Sequence, residues 1–411
     1  MEPDGYPGPE AGSERELGAL PQAAPTSASL ARLLPFVLVA TTISTLIHLY
    51  LASRLATWPA WPAPVGAIVS GVVWTGAVML PLGLGLWRFI GRERARVATW
   101  VGLTWMGAMY YLFAGLLVFE LVHLALPASA GTEVARVAAI AVAALTLAVV
   151  VIGLARVRRG PIIAEVTVPV PDLPAALDGL RIAHLSDIHV GPTVDGRQLA
   201  DIVARTRELR PDLVAITGDL MDGSVAALAS DVAVLAELDP PLGVFFTTGN
   251  HEYYSGHEAW LTHLGTLGVR VLRNARVRVA HGAGSLDIAG VPDLQGARFG
   301  DAPDLERALA GRDDDDPTPL VVLAHQPKQA LAAAARGATL VLSGHTHAGQ
   351  LAPFGYLAKI GQPSIRGLFA LTSPRGPRQS WLYTSEGTGY WGPPMRIGTR
   401  SEIALLTLVR A

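Results

Sequence analysis

Four apolar runs follow one another early in this chain: Leu33 to Leu51, Val65 to Trp87, Val97 to Phe119 and Val137 to Ala155. None contains Asp, Glu, Lys or Arg. Each is close to the ~20 residues that cross a hydrocarbon core at 1.5 Å per residue, so each is expected to be a transmembrane helix. The core of a water-soluble protein does not need four such runs in succession. Composition agrees: hydrophobic residues make up 50% of the 411 and charged residues 16%, below the roughly 25% charge of ordinary globular chains. Trp58, Trp61, Trp87 and Trp100 sit at run ends, where amphipathic rings favour the headgroup layer.

The arginines give an orientation. Arg88, Arg92, Arg94 and Arg96 lie between the second and third runs, and Arg156, Arg158 and Arg159 follow the fourth. The opposite connections hold Arg54 and Arg136, so the positive-inside rule puts both termini in the cytoplasm of a multi-pass cell (plasma) membrane protein. The first run is longer than the apolar stretch of a cleaved signal peptide, so none is expected. Residues 1–29 mix Pro, Gly, Glu and Ala and are expected to be a disordered tail. The division expected is this tail, a four-helix membrane unit over 30–159 and an α/β domain over 160–411.

From Gly160 the texture changes to short apolar runs punctuated by Gly, Pro and Asp. Strands are expected at Ile163–Val170, Leu180–Leu185, Leu213–Thr217, Val244–Thr248, Leu286–Ala289, Leu320–Ala324, Thr339–Leu342 and Glu402–Leu408. Leu199, Ile202, Val203 and Leu209 keep helical spacing after a cap at Asp195; Trp260, Leu261, Leu264 and Leu267 keep it after a capping box of Ser255 with Glu258. The run Asp313 to Asp316 reads as a solvated loop.

Five expected strands are each followed by residues able to hold a metal. These are Asp187 and His189, then Asp219, then Asn250, His251 and Glu252, then His325, then His345 and His347. Ligands bind beyond the carboxyl ends of strands in α/β sheets, so groups spread over 160 residues can converge. With no cysteine in the chain, disulfides, thiolate ligands and a cysteine nucleophile are all excluded. A net charge of −2 gives no basic footprint for nucleic acid, and none is expected as a partner.

The set resembles the calcineurin-like metallophosphoesterase superfamily, whose D-x-H, G-D-x-x-D, G-N-H-E/D, lone His and G-H-x-H motifs read here as Asp187-Ile188-His189, Gly218 to Asp222, Gly249 to Glu252, His325 and Gly344 to His347. A membrane-linked bacterial subgroup, similar to lipid-type UDP-diacylglucosamine hydrolases, is suggested by Gly387-Thr388-Gly389, Arg396 and Ser401-Glu402-Ile403, although Ser401 stands where that pattern has proline. The resemblance implies an α/β sandwich of two mixed sheets flanked by helices, preceded by an all-α bundle of about four transmembrane helices. It also implies two divalent ions (Mn, Fe, Zn or Co), one held by Asp187, His189, Asp219 and His347, the other by Asp219, Asn250, His325 and His345. A water activated between the ions would cleave a phosphomonoester, phosphodiester or pyrophosphate bond, with His251 serving the leaving oxygen and Asp222 orienting it. Glu252 reads as structural, making a hydrogen bond to its loop. Arg396 reads as a phosphate contact or a salt bridge to a carboxylate. His184, His257, His263 and His281 read as packing residues, and Glu120 with His123 as polar groups snorkelling at the outer interface. A phosphoester substrate and membrane lipids are the partners expected; a lipid-linked ester is attractive, but anchoring alone does not prove it. The competing reading is a transporter or receptor whose metal-binding domain is regulatory; against it, the four spans hold few ionisable groups.

Overall fold

The computed structural model describes residues 27–124, 131–313, 315–372 and 379–411. Nearly all of the expected tail lies outside them, apart from Ser27–Ser29, which already belong to a helix. The chain forms two compact units, one ending at Thr45 and the other spanning Leu46–Ala411.

The apolar runs form α1 (Ser27–Ala52), α2 (Val65–Gly85), α4 (Arg92–His123) and α5 (Thr132–Arg158), with the one-turn α3 (Trp87–Ile90) between α2 and α4. Four stretches, Val37–Thr57 and the whole of α2, α4 and α5, are long and apolar enough to span a membrane, as expected. Leu51, Val73, Leu112 and Leu116 bury a common core among them. Glycine brings α2 and α4 into backbone contact: a Cβ on Gly102 would stand 2.1 Å from the Met79 carbonyl oxygen and 3.0 Å from the Gly83 Cα. Small residues supply close approach where lipid offers no hydrophobic driving force. Gly102→Val is therefore expected to force the pair apart and lower the melting temperature of the detergent-solubilised chain by several degrees. Unchanged melting would refute the packing.

At the far end of these helices, Glu120 is not a lone snorkelling carboxylate. The Arg54 Nε lies 2.8 Å from it, and the Arg54 guanidinium also covers the Trp58 ring at 4.6 Å. His123 packs on Phe119 and Trp58. At the arginine-rich end, Trp87 is buried rather than left at a headgroup layer, because its ring packs on Gly223 of the α/β region. Beside it, Arg92 holds Asp231 through two bonds of 2.6 and 3.2 Å.

The α/β region is built from β1 (Ile162–Val170), β2 (Arg181–Leu185), β3 (Leu213–Ile216), β4 (Val244–Phe246), β5 (Val269–Val271), β6 (Ala275–His281), β7 (Gly284–Gly290), β8 (Leu320–Leu323), β9 (Leu340–Ser343), β10 (Gly367–Leu371), β11 (Ser380–Thr384) and β12 (Glu402–Arg410). They form two six-stranded mixed sheets, ordered β1-β12-β2-β3-β4-β5 and β10-β11-β9-β8-β7-β6. The segments β2-β3-β4-β5 and β7-β8-β9-β11 are parallel. Ile182, Phe245, Ile288, Leu323, Leu342 and Leu406 fill the space between the sheets. On the outer face of the first sheet lie α6 (Gly196–Glu208), α7 (Val225–Val232) and α9 (His257–Thr266), while the short α8 (Asn250–Ser255) follows β4 at the strand ends.

Local expectations divide. Asp195 caps α6, accepting from Arg197 and Gln198 while the Gln198 side chain reaches back. Ser255 and Glu258 form no such box: left-handed Gly256 precedes α9 and the Ser255 hydroxyl donates to the Met221 carbonyl. The acidic run is not simply solvated either. Asp314 lies outside the described residues, but Asp316 pairs with Arg278 and Arg312, which also hold the fully buried Asp287.

Candidate metal centre

The parallel strands β2, β3 and β4 of one sheet and β8 and β9 of the other end side by side, and all the expected ligands lie just beyond those ends. Asp187, His189 and His347 offer donor atoms within 4.8 Å of one another, as do Asp219, His325 and His345. Asp219 stands between the two groups, its Oδ2 3.2 Å from His325 Nε2 and 3.9 Å from His189 Nε2. Asn250 Oδ1 is 3.1 Å from His345 Nδ1, His325 Nε2 is 3.3 Å from that same nitrogen, and the Nε2 atoms of His189 and His347 are 3.1 Å apart. The seven residues meet around one hollow.

A divalent cation fits this donor set on three grounds. Imidazole, carboxylate and amide oxygen together suit Mn, Fe, Zn or Co. The backbone is strained into the left-handed region at five donors: φ is 54° at Asp187, 56° at His189, 49° at Asp219, 68° at His345 and 48° at His347. Non-glycine residues hold such angles where the surroundings over-determine them, most often at functional sites. Finally, glycine clears the approach. A Cβ on Gly249 would lie 2.2 Å from Asp219 Oδ1, and one on Gly344 would lie 2.1 Å from Asp187 Oδ2.

Other groups fix the donors. Glu252 accepts from the backbone N–H groups of Asp219, Leu220 and Gly249 at 2.9, 2.7 and 2.6 Å, so it is the structural anchor expected. The His325 Nδ1 faces the Thr217 carbonyl at 2.7 Å, which turns its Nε2 into the hollow. Asp222 touches two imidazoles through one oxygen, His251 Nδ1 at 2.7 Å and His189 Nδ1 at 3.0 Å. Burial alone would raise the Asp219 carboxyl, but the facing imidazoles of His325 and His251 outweigh it and hold the group well below the usual range. Burial would likewise lower His251, yet Asp219 and Asp222 push it up to about 9.

Sequence reasoning missed a buried relay behind Asp187. The Ser186 hydroxyl lies 2.6 Å from Asp187 Oδ2, Thr217 Oγ1 is 2.9 Å from Ser186 Oγ, and His184 Nε2 is 2.8 Å from Thr217 Oγ1. Burial drops His184 to about 3, so its ring stays neutral. The available signal was position, since Ser186 and Thr217 sit one or two residues before the expected ligands. Arg396 departs from the salt bridge that was one of its expected roles. It is fully buried and donates to the carbonyls of Gly387 and Gly389, 3.3 Å from His347 Nδ1, so it ties the C-terminal loop to the hollow, and among the described residues it makes no salt bridge to a carboxylate.

Two stacked mixed sheets with His, Asp and Asn donors gathered at their parallel strand ends define an α/β protein with a candidate metal centre. A sequence profile described as calcineurin-like phosphoesterase matches residues 180–349. "Transmembrane protein with metallophosphoesterase domain" from Danio rerio is 40% identical over 276 residues, 65% of this chain and 62% of that protein. An uncharacterized metallophosphoesterase from Aquifex aeolicus is 33% identical over 248 residues, 60% of this chain and 91% of that protein. Another from Helicobacter pylori strain J99 is 40% identical over 232 residues, 56% and 60% of the two chains. The chain belongs to the calcineurin-like metallophosphoesterase family, and it spans about six-tenths of the length of the Danio rerio relative.

Proposed function

We propose that this protein is a membrane-anchored phosphoesterase that hydrolyses a phosphomonoester, phosphodiester or pyrophosphate bond with two divalent metal ions. The observation that carries the reading is Asp219 standing between two donor groups that face one hollow. Asp187, His189, Asp219 and His347 would hold one ion, and Asp219, Asn250, His325 and His345 the other. When bound, such ions supply Lewis acidity toward phosphoryl oxygens and lower the pKa of a coordinated water. Asn250 in place of an aspartate leaves the donor set with two carboxylates, so the loaded site keeps net positive charge and attracts an anionic ester. His251, whose Nδ1 faces Asp222 Oδ1 at 2.7 Å, is the group that donates a proton to the leaving oxygen as the P–O bond breaks and water takes its place on phosphorus. Asp222 aims that ring and the His189 ring together.

We further propose the organisation of tail, membrane unit over 30–159 and catalytic domain over 160–411, with the domain on the cytoplasmic face of the cell membrane and a lipid-linked ester as substrate. The arginine clusters around residues 88–96 and 156–159 support that side. The test is an assay of the purified full chain with Mn against monoesters, diesters and pyrophosphates, with and without chelator. Turnover should vanish with chelator and return with metal; chelator-insensitive turnover would overturn the reading. In the same assay, His251→Ala should lose about 10²-fold on an ester with a poor alkyl leaving group and much less on a p-nitrophenyl ester, whose leaving oxygen needs no proton. Equal losses on both would remove His251 from that role.

A further inference from the structure

A cavity of about 900 Å³ lies over the donor groups, and its walls differ sharply in chemistry. One wall is the hollow itself, with Asp219, Asn250, His251 and His345. The opposite wall comes from the membrane helices: Gly83 and Leu84 of α2, and Leu103, Met106, Met109 and Tyr110 of α4. On that helix side Arg88 is the one charged residue in the lining among the described residues. That wall gains little from a hydrophilic ester and buries apolar surface when a hydrocarbon chain lies on it.

The helix wall is locked in place. Met395 of the α/β region packs into two helix notches: a Cβ on Gly107 would lie 2.6 Å from its sulfur, and one on Gly153 would lie 2.7 Å from its Cβ. Met106 packs against Gly392, and the Tyr111 hydroxyl donates to the Ala352 carbonyl at 2.8 Å. These contacts hold the domain against α4 as far as its middle turns, deep in the stretch that is apolar enough to span a membrane.

The rim of the cavity continues this apolar surface outward. Phe354 and Trp391 line the rim and are 48% and 47% exposed; Tyr356, Leu357 and Ile360 follow at 82%, 62% and 76%. Such a cluster of large apolar side chains is costly in water and stable in acyl chains. The segment follows Ala352, whose carbonyl accepts from Tyr111 of α4, so it lies beside that apolar helix.

We infer that the substrate is an amphiphile: a phosphoester of a hydrophobic alcohol that enters sideways from the lipid leaflet past Phe354 and Trp391, lays its chain on the α2–α4 wall and presents its phosphorus to the donor groups. This rests on the reading of the hollow as a phosphoesterase site. Met106 and Leu103, midway along the wall, are then determinants of chain-length preference.

Two measurements on the full chain in nanodiscs test it. The first compares p-nitrophenyl methyl phosphate with p-nitrophenyl octyl phosphate. The octyl diester should be favoured at least tenfold in kcat/KM, and Met106→Trp, which fills the groove, should bring the octyl-to-methyl ratio to within about twofold of one. Leu103→Trp from the same wall serves if Met106→Trp does not melt cooperatively. The second is photolabelling with hexadecyl phosphate carrying a diazirine in its chain, followed by peptide mapping, which needs no turnover. Label should concentrate on the α4 peptide containing Leu103 to Tyr110. Metal-dependent methyl-ester turnover without a chain-length advantage, or a ratio unchanged by the groove variants, would sink this inference and leave the hydrolase reading standing. Absence of any metal-dependent turnover would sink the hydrolase reading instead, and label spread evenly over lipid-facing α5 would sink the groove by itself.

Discussion

Asp219→Ala is expected to lower metal-dependent turnover of the full chain by about 10³-fold or more, with metal content falling from about two ions per chain to one or fewer. The reason is position. Among the described residues Asp219 is the carboxylate that reaches both donor groups, and alanine removes a ligand from each at once. It also supports the loop beside it, since Asp219 Oδ1 accepts the His251 backbone N–H at 2.8 Å. The substitution therefore loosens the residue assigned to the leaving oxygen as well as the cations. Asp187→Ala strips one group only and should cost less, about 10²-fold, with one ion retained. Elemental analysis of the purified proteins beside the kinetics checks both numbers. Native metal content and rate in Asp219→Ala would remove the bridging role.

The strand-end ligands were legible because each motif sets a metal-capable side chain just after a short apolar run, three of them through a glycine, and five such units at corresponding positions have no structural reason to recur. The membrane helices were legible because twenty uncharged apolar residues have few other solutions. What escaped was of two kinds. The strands β5, β6, β10 and β11 were not among the expected ones. In β6 the alternation of Arg276, Val277, Arg278 and Val279 has strand period, but its arginines read as surface until Asp287 is seen to hold them. The second kind depends on tertiary contact. Nothing in the sequence pairs Met395 with Gly107 and Gly153, or places Met106 over a cavity whose far wall is His345. Arg396 shows the same limit: an arginine near a phosphate-type site invites an ionic role, and only the folded loop reveals that its partners are carbonyls.

The largest expected effect on stability lies at Glu252, which touches no candidate cation. Its carboxylate is fully buried and accepts three backbone N–H groups, two of them from Asp219 and Gly249, the positions where the chain is most tightly folded around the hollow. Alanine leaves all three donors without an acceptor and opens a void. A buried unsatisfied donor costs about 1–3 kcal/mol, and neighbouring losses do not add fully, so about 3–5 kcal/mol is expected for Glu252→Ala. Against a total of about 5–15 kcal/mol this removes much of the stability, and the melting temperature should fall by about 10 °C or more. Glu252→Gln keeps one accepting oxygen but turns an NH₂ toward a donor, so it should fall between the native chain and the alanine variant. The melts belong in chelator, because cations bind the native state and would mask the loss by mass action. An alanine variant that melts within a degree or two of the native chain would mean that water or a shifted loop satisfies those three N–H groups, and that Glu252 is not what holds Asp219 at its left-handed φ.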